Sequence, residues 1–355
     1  MTQARLQLRT GESFPGESVG APFSVTGEVV FNTGMVGYPE GLTDPSYHGQ
    51  ILVFAYPLIG NYGVPAPRMI RGLPENFESG AVQPRGVITG AMSMYHSHWT
   101  SGSSLADWLR REGIPALTRV DTRGLVKTLR TRGTMNGVLE TGVDPPREYL
   151  PDSLESPLAS RVSVTGTEEY VRGSIRVVAV DCGIKNTIIR RLLDRDITVI
   201  RVPWDHDFSR IPAHGYLLSN GPGDPRYCRA TIEHTARAMA RKKPILGICL
   251  GSQILALAAG ADTYKLPYGH RGHNQPCRET GTRRCYITSQ NHGYAVDAAS
   301  LPEDWREWFV NLNDGTNEGI IHVSKPFFGA QFHPEASPGP EDTEFLFDMF
   351  IRAMQ

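Results

Sequence analysis

Lys243-Pro-Ile-Leu-Gly-Ile-Cys-Leu-Gly-Ser-Gln-Ile-Leu-Ala-Leu-Ala-Ala-Gly260 is the stretch whose reading decides the fold. Its apolar run Ile245–Ile248 has the length of a buried strand, and Leu250–Ala259 consists of small or apolar helix formers ending at Gly260. Between them, Gly247-Ile-Cys-Leu-Gly251 has the form of a strand, a sharp turn and a helix. Glycines stand two before and two after the side chain that must project clear. A cysteine there meets a helix N-terminus, which favours the thiolate, the nucleophilic form. The amide of Leu250 is placed to donate to an oxyanion formed when sulfur attacks a carbonyl. The same pentapeptide also suits a buried strand-end cysteine with no chemistry, so groups elsewhere in the chain must decide.

The 355 residues suit two domains, and 40% hydrophobic with 21% charged content is ordinary for a globular chain. A net charge of −1 excludes the basic footprint of a nucleic-acid binder. The segment Met1-Thr-Gln-Ala-Arg-Leu-Gln-Leu-Arg9 has no apolar leader core, and no run nears the roughly 18 apolar residues of a membrane helix. Five cysteines without regular spacing point to reduced thiols and a cytoplasmic location.

Residues 1–150 read as a strand-rich α+β domain, with short strand-like runs at 28–31, 50–55 and 86–89. Helices are expected over Leu105–Arg111 and from a cap at Asp121 to about Arg130. This half holds no nucleophile–base pair and no phosphate-binding loop, and Ser46 in Leu42-Thr-Asp-Pro-Ser-Tyr47 reads locally as a turn residue. Polar, proline-rich residues 151–173 are expected to be a linker. From 174 to 355 strands alternate with helices. Runs at 175–180 and 197–202 flank a helix at 185–194, a βαβ unit that implies an α/β fold with a largely parallel sheet. Further strands are expected at 215–219, 285–288, 319–323 and 327–332, and an amphipathic helix at 340–352.

A thiol that attacks a carbonyl needs a base, and the base needs an orienting group. His333-Pro-Glu335 follows a strand, with the carboxylate two residues beyond the imidazole and on the same side of an extended backbone. A surface histidine and glutamate flanking a turn proline would look the same. Asn220-Gly-Pro-Gly-Asp-Pro225 follows another strand, where parallel sheets bind ligands, and Gly221 could donate a second oxyanion hydrogen bond. His270, His273, Cys277 and Cys285 fit no standard zinc spacing, so no metal site is expected.

These three signals together resemble the class I, or triad, glutamine amidotransferases. The resemblance implies Cys249 as nucleophile, His333 as acid/base and Glu335 as its orienter, with Gly221 and Leu250 forming the oxyanion hole. It narrows further. Residues 30–38 (VFNTGMVGY), 42–47 (LTDPSY), 56–63 (YPLIGNYG), 113–117 and 120–123 are similar to the N-terminal domain of the small, glutamine-hydrolysing chain of carbamoyl phosphate synthetase. Residues 288–294 (TSQNHGY) and 333–340 (HPEASPGP) match the same family. The likeness implies that L-glutamine is held by Ser46, Gly221, Gly223, Leu250, Gln253, Asn291, Gly293 and Tyr294. It implies no cofactor in this chain, and a large ATP- and magnesium-using partner chain that receives ammonia. Two other roles stay open: an amidotransferase subunit serving another acceptor, or a non-catalytic assembly subunit that keeps the fold. The chain departs from the family at Ser252, where histidine is usual, and at Asn274-Gln-Pro276. Whether the product enters arginine or pyrimidine synthesis is not written in these motifs.

Overall fold

Alternation of apolar and polar residues, as in Arg5-Leu6-Gln7-Leu8, gives the first strand one buried and one wet face. The computed structural model describes residues 2–141 and 157–355. The chain forms two units, Met1–Leu154 and Glu155–Gln355, whose boundary falls outside the described residues.

The first unit is a closed barrel of β1 (Thr2–Leu8), β2 (Ser13–Ser18), β3 (Val25–Asn32), β4 (Gln50–Phe54), β5 (Gly86–Ile88), β6 (Ala116–Thr118) and β7 (Met135–Glu140). Their order is β1-β7-β3-β4-β5-β6-β2. The pairs β3–β4, β4–β5 and β5–β6 are parallel. The Leu105–Arg111 helix, capped by Ser104, packs Leu105, Ala106, Trp108 and Leu109 into the same core as Val30, Leu52 and Val87. Asp121 caps the Thr122–Arg132 helix by accepting from the Gly124 amide. The motifs of residues 30–38, 42–47 and 56–63 lock together here. Asn32 Nδ2 donates to the Tyr47 hydroxyl (2.7 Å), Tyr62 Oη accepts from the Gly37 amide (2.8 Å), and the Tyr38 and Tyr62 rings stack at 4.1 Å.

The second unit is built on a ten-stranded sheet: β8 (Glu168–Tyr170), β9 (Ile175–Asp181), β10 (Ile197–Pro203), β11 (Gly215–Leu218), β12 (Ile245–Ile248), β13 (Thr263–Glu279), β14 (Cys285–Val296), β15 (Trp305–Asn311), β16 (Asn317–His322) and β17 (Phe327–Ala330). The order is β8-β10-β9-β11-β12-β17-β16-β15-β13-β14. From β10 to β17 neighbours run parallel, and the far side is antiparallel. β12 and β17 are fully buried and β9 is buried from Val177 onward, as their apolar runs require of a sheet covered on both faces.

Two expectations need correction. The expected linker 151–173 is mostly part of the second unit: residues 151–156 lie outside the described residues, but Ala159–Val162 is a helical turn and β8 pairs antiparallel with β10 as an edge strand. Its polar composition reflects an exposed edge. The 17-residue strand β13 was not expected at all. Its prolines and histidines hide the strand pattern, and the register with β14 slips at two places, between Lys265 and His270 and between Gly272 and Gln275, which take in Pro267 and His273.

Candidate active site

Each chemical group is delivered by the carboxyl end of a neighbouring parallel strand. β9 runs into Cys182-Gly-Ile-Lys185, β11 into Asn220-Gly-Pro-Gly223, β12 into Cys249, and β17 into Gln331-Phe-His333. This is where α/β sheets bind ligands.

Cys249 sits at φ 52°, ψ −107°, between β12 and the Leu250–Ala259 helix. A non-glycine residue held there stores roughly 1–3 kcal/mol of strain, which the surrounding packing must sustain. Both flanking glycines are required by space. A Cβ on Gly247 would lie 2.5 Å from the Gly251 carbonyl oxygen, and one on Gly251 would overlap the Leu218 backbone. The Cys249 amide donates to Ala330 O (2.8 Å), fastening the turn to β17. The Sγ, 2% exposed as a residue, lies 3.6 Å from the Asn291 carbonyl oxygen and 3.6 Å from Gln331 Nε2.

His333 Nδ1 and Glu335 Oε1 are 2.7 Å apart and both residues are buried, so the carboxylate fixes the ring with Nε2 outward. That Nε2 has no hydrogen-bond partner among the described residues. Lys185, also buried, donates to Glu335 Oε1 (2.9 Å) and to the Ala336 carbonyl (2.7 Å). Burial works against charge on all these groups. It is overcome at Glu335 by Lys185 and His333, which hold the carboxyl down at about 2. It is overcome at His333 by Glu335 and the adjacent Cys249 sulfur, which push the imidazole up to about 10. The nearby His273 has no such partner: burial, then Lys185, bring it down to about 4.

The glycine loop closes the site. Gly221 lies against the Cys182 backbone and the Leu250 side chain, leaving no room for a Cβ, and Gly223 adopts φ +90°. Asn220 Oδ1 accepts from the Lys185 amide (3.1 Å), stitching this loop to the one after β9. Leu250 opens its helix, where amides lack intrahelical acceptors. Gln253, one turn on, donates to the Tyr294 carbonyl (2.8 Å) and to Gln331 Oε1 (2.9 Å). Asn291, Gly293 and Tyr294 follow one another on β14, which is tied to the His333 segment by the His333 amide and Ser289 carbonyl (2.9 Å). Thus Cys249, His333, Glu335, Gly221, Gly223, Leu250, Gln253, Asn291, Gly293 and Tyr294 all belong to the second unit. Ser46 belongs to the first, buried in the Pro45–Tyr47 turn, with its amide donating to Asp44 Oδ1 (2.9 Å). Ser252 packs against Gly329, a contact that favours a small side chain at the position where the family usually has histidine.

Lys185 and Gln331 are absent from the sequence reading. Lys185 looked like an ordinary charged residue opening a helix, and Gln331 was hidden within an apolar run. The four residues considered for zinc are not gathered either. Cys285 is exposed and Cys277 buried, whereas His270 meets His292 and Glu318 with ligand atoms within 4.8 Å. Both ring nitrogens of His270 are already taken, Nε2 by Asp314 Oδ2 (2.8 Å) and Nδ1 by Glu318 Oε1 (3.1 Å). Against burial, Glu318 and Asp314 keep His270 protonated to higher pH. The cluster is therefore an ion-paired network centred on His270.

A parallel sheet carrying a cysteine on a strained strand–helix turn, with a histidine–glutamate pair on the next strand, defines the triad type of glutamine amidotransferase. Residues 178–353 match the family model "Glutamine amidotransferase class-I" and residues 6–139 match "Carbamoyl-phosphate synthase small chain, CPSase domain". The chain belongs to the carbamoyl-phosphate synthase small-chain family. It is 46% identical to the carbamoyl phosphate synthase arginine-specific small chain of Aspergillus fumigatus, over 99% of this chain and 80% of that one. It is 50% identical to the multifunctional protein CAD of Squalus acanthias and 45% identical to the multifunctional protein pyr-3 of Neurospora crassa, each over 98% of this chain. The chain spans only 16% and 21% of those two proteins.

Proposed function

We propose that this chain is the glutaminase component of a carbamoyl phosphate synthetase. The observation that carries the reading is the buried His333–Glu335 pair, 2.7 Å apart, beside a cysteine held on a strained turn. The Cys249 thiolate attacks the side-chain carbonyl carbon of L-glutamine. The Gly221 and Leu250 amides receive the oxyanion, each worth about 10²–10³ in rate. His333, charged and held by Glu335, gives its Nε2 proton to the departing nitrogen, which leaves as ammonia. The resulting glutamyl thioester is cleaved by water, whose proton returns to His333. Gly223, Gln253, Asn291, Gly293 and Tyr294 complete the glutamine site.

Ammonia then passes to a large synthetase chain in a hetero-oligomer. That partner holds the ATP and magnesium and makes carbamoyl phosphate from bicarbonate, in the cytoplasm. Within this chain the scheme uses only side chains and backbone amides, and neither nucleic acid nor a membrane enters it. No helix among the described residues is long and apolar enough to cross a membrane. Glutamine hydrolysis by the wild type and by Cys249→Ser, with and without a large chain, tests the proposal. Hydrolysis lost in the variant and stimulated by the large chain is expected. Equal hydrolysis by both proteins refutes the catalytic role and leaves an assembly subunit. Hydrolysis stimulated only by a different synthetase reassigns the acceptor.

A further inference from the structure

We propose that Gln331 is a further catalytic residue, donating its side-chain N–H to the Cys249 sulfur and stabilising the thiolate. Gln331 is 1% exposed at the end of β17, and its Nε2 is 3.6 Å from Sγ. Which end of an amide faces a neighbour follows from the network around it. Here the network begins at a backbone carbonyl, which can only accept. Tyr294 O at 2.8 Å requires that the Gln253 atom facing it be Nε2. That same Nε2 lies 2.9 Å from Gln331, so the Gln331 atom opposite it is the acceptor, Oε1. The other end of the Gln331 amide, an N–H, is thereby turned toward the sulfur. Its backbone is equally fixed, since the Gln331 amide donates to the Glu318 carbonyl (2.9 Å).

The sulfur therefore has two opposed polar neighbours. The Asn291 carbonyl, 3.6 Å away, suits a thiol that donates S–H and repels a thiolate. The Gln331 N–H suits the thiolate. The titratable groups around the sulfur are His333, with Glu335 and Lys185 behind it, and beyond His333 the buried His292 on β14, on which His333 acts. None of them supplies a neutral donor to the sulfur. In the reaction this N–H holds the anion on the attack line and gives it up as the S–C bond forms and negative charge moves to the carbonyl oxygen. The inference rests on the glutaminase reading only in taking Cys249 as nucleophile. Its test therefore uses no glutamine.

Alkylation of Cys249 by iodoacetamide is followed across pH by mass spectrometry of the peptide carrying it, in the wild type, Gln331→Met and Gln331→Leu. A hydrogen bond to a charged acceptor is worth enough to move the alkylation midpoint upward by about one to two pH units when it is lost. The rate at neutral pH falls about tenfold or more. A second measurement needs no variant at Gln331. The side-chain amide resonances of Gln331 in the wild type are expected to move with the same midpoint as alkylation, and to stay still in Cys249→Ser. An unmoved midpoint in either folded variant overturns the inference, and so does an amide resonance that ignores the titration. Glutaminase activity can survive both results, so the two readings fail separately.

Discussion

Replacing Lys185 by Met keeps the length and apolar body of the side chain and removes only its charge. In the wild type Nζ sits 2.9 Å from Glu335 Oε1, with both residues at most 3% exposed. Burial alone would raise the carboxyl. Lys185 first, then His333, reverse this and take it from 4.5 down to about 2. That difference corresponds to on the order of 3 kcal/mol at neutral pH. It agrees with the roughly 3–5 kcal/mol lost when one partner of a buried pair is removed. Because the folded carboxyl is depressed, its contribution is fully present above pH 4.5 and is lost as pH falls toward 2. Lys185→Met is therefore expected to be less stable than the wild type by roughly 3 kcal/mol at pH 7, with the gap narrowing below pH 4.5. Hydrogen exchange of peptides from the buried strand Ile175–Asp181 reads the free energy of the second unit specifically. A loss under about 1 kcal/mol, or a gap that does not change between pH 7 and pH 3, would show that Lys185 is not balancing the Glu335 charge.

Glu335→Gln removes the charge that raises His333, so burial dominates and the ring becomes neutral at lower pH; the alkaline limb of kcat/KM should move down by more than about one unit, and kcat should fall roughly 10²–10⁴-fold. A pH–rate profile checks both. Gly251→Ala drives a Cβ into the Leu218 backbone and should cost roughly 1–3 kcal/mol in urea unfolding, with glutaminase activity falling because the Cys249 turn must shift. Tyr47→Phe leaves the Asn32 amide without its 2.7 Å acceptor, and thermal unfolding of the first unit should register a loss of about 1–2 kcal/mol.

How much of this was legible follows from how local each signal is. Gly247 is forced by a contact within its own strand–turn–helix and Gly251 by the backbone of the adjoining strand β11, so the pattern around Cys249 announces its geometry. His333-Pro-Glu335 is equally local, and its 2.7 Å contact joins residues two apart. Lys185 is different: it touches Glu335 across 150 residues, and nothing in its neighbours marks a lysine that will be buried. Gln331 meets Cys249 across 82 residues and is disguised by the phenylalanines around it. The barrel was equally hard to foresee. β1, β2 and β7 are short runs of mixed polarity, and closure depends on β1 pairing with β7, more than a hundred residues away. The strand β13 was hidden by its own polarity, because His270 is inside but paired with two carboxylates.

The position of β17 has a consequence for how the protein is made. Phe327–Ala330 comes later in the sequence than the other nine strands of its sheet, yet it lies between β12 and β16 in the interior and leads into the only base aimed at Cys249 among the described residues. A nascent chain halted before it lacks both a central strand and the imidazole. Completion of the sheet and onset of chemistry are thus one event, and unfinished polypeptides are expected to leave cellular glutamine untouched. Ribosome-bound chains stalled at Lys325 and at Gln355, compared for glutamine hydrolysis after spacer extension, would expose any exception.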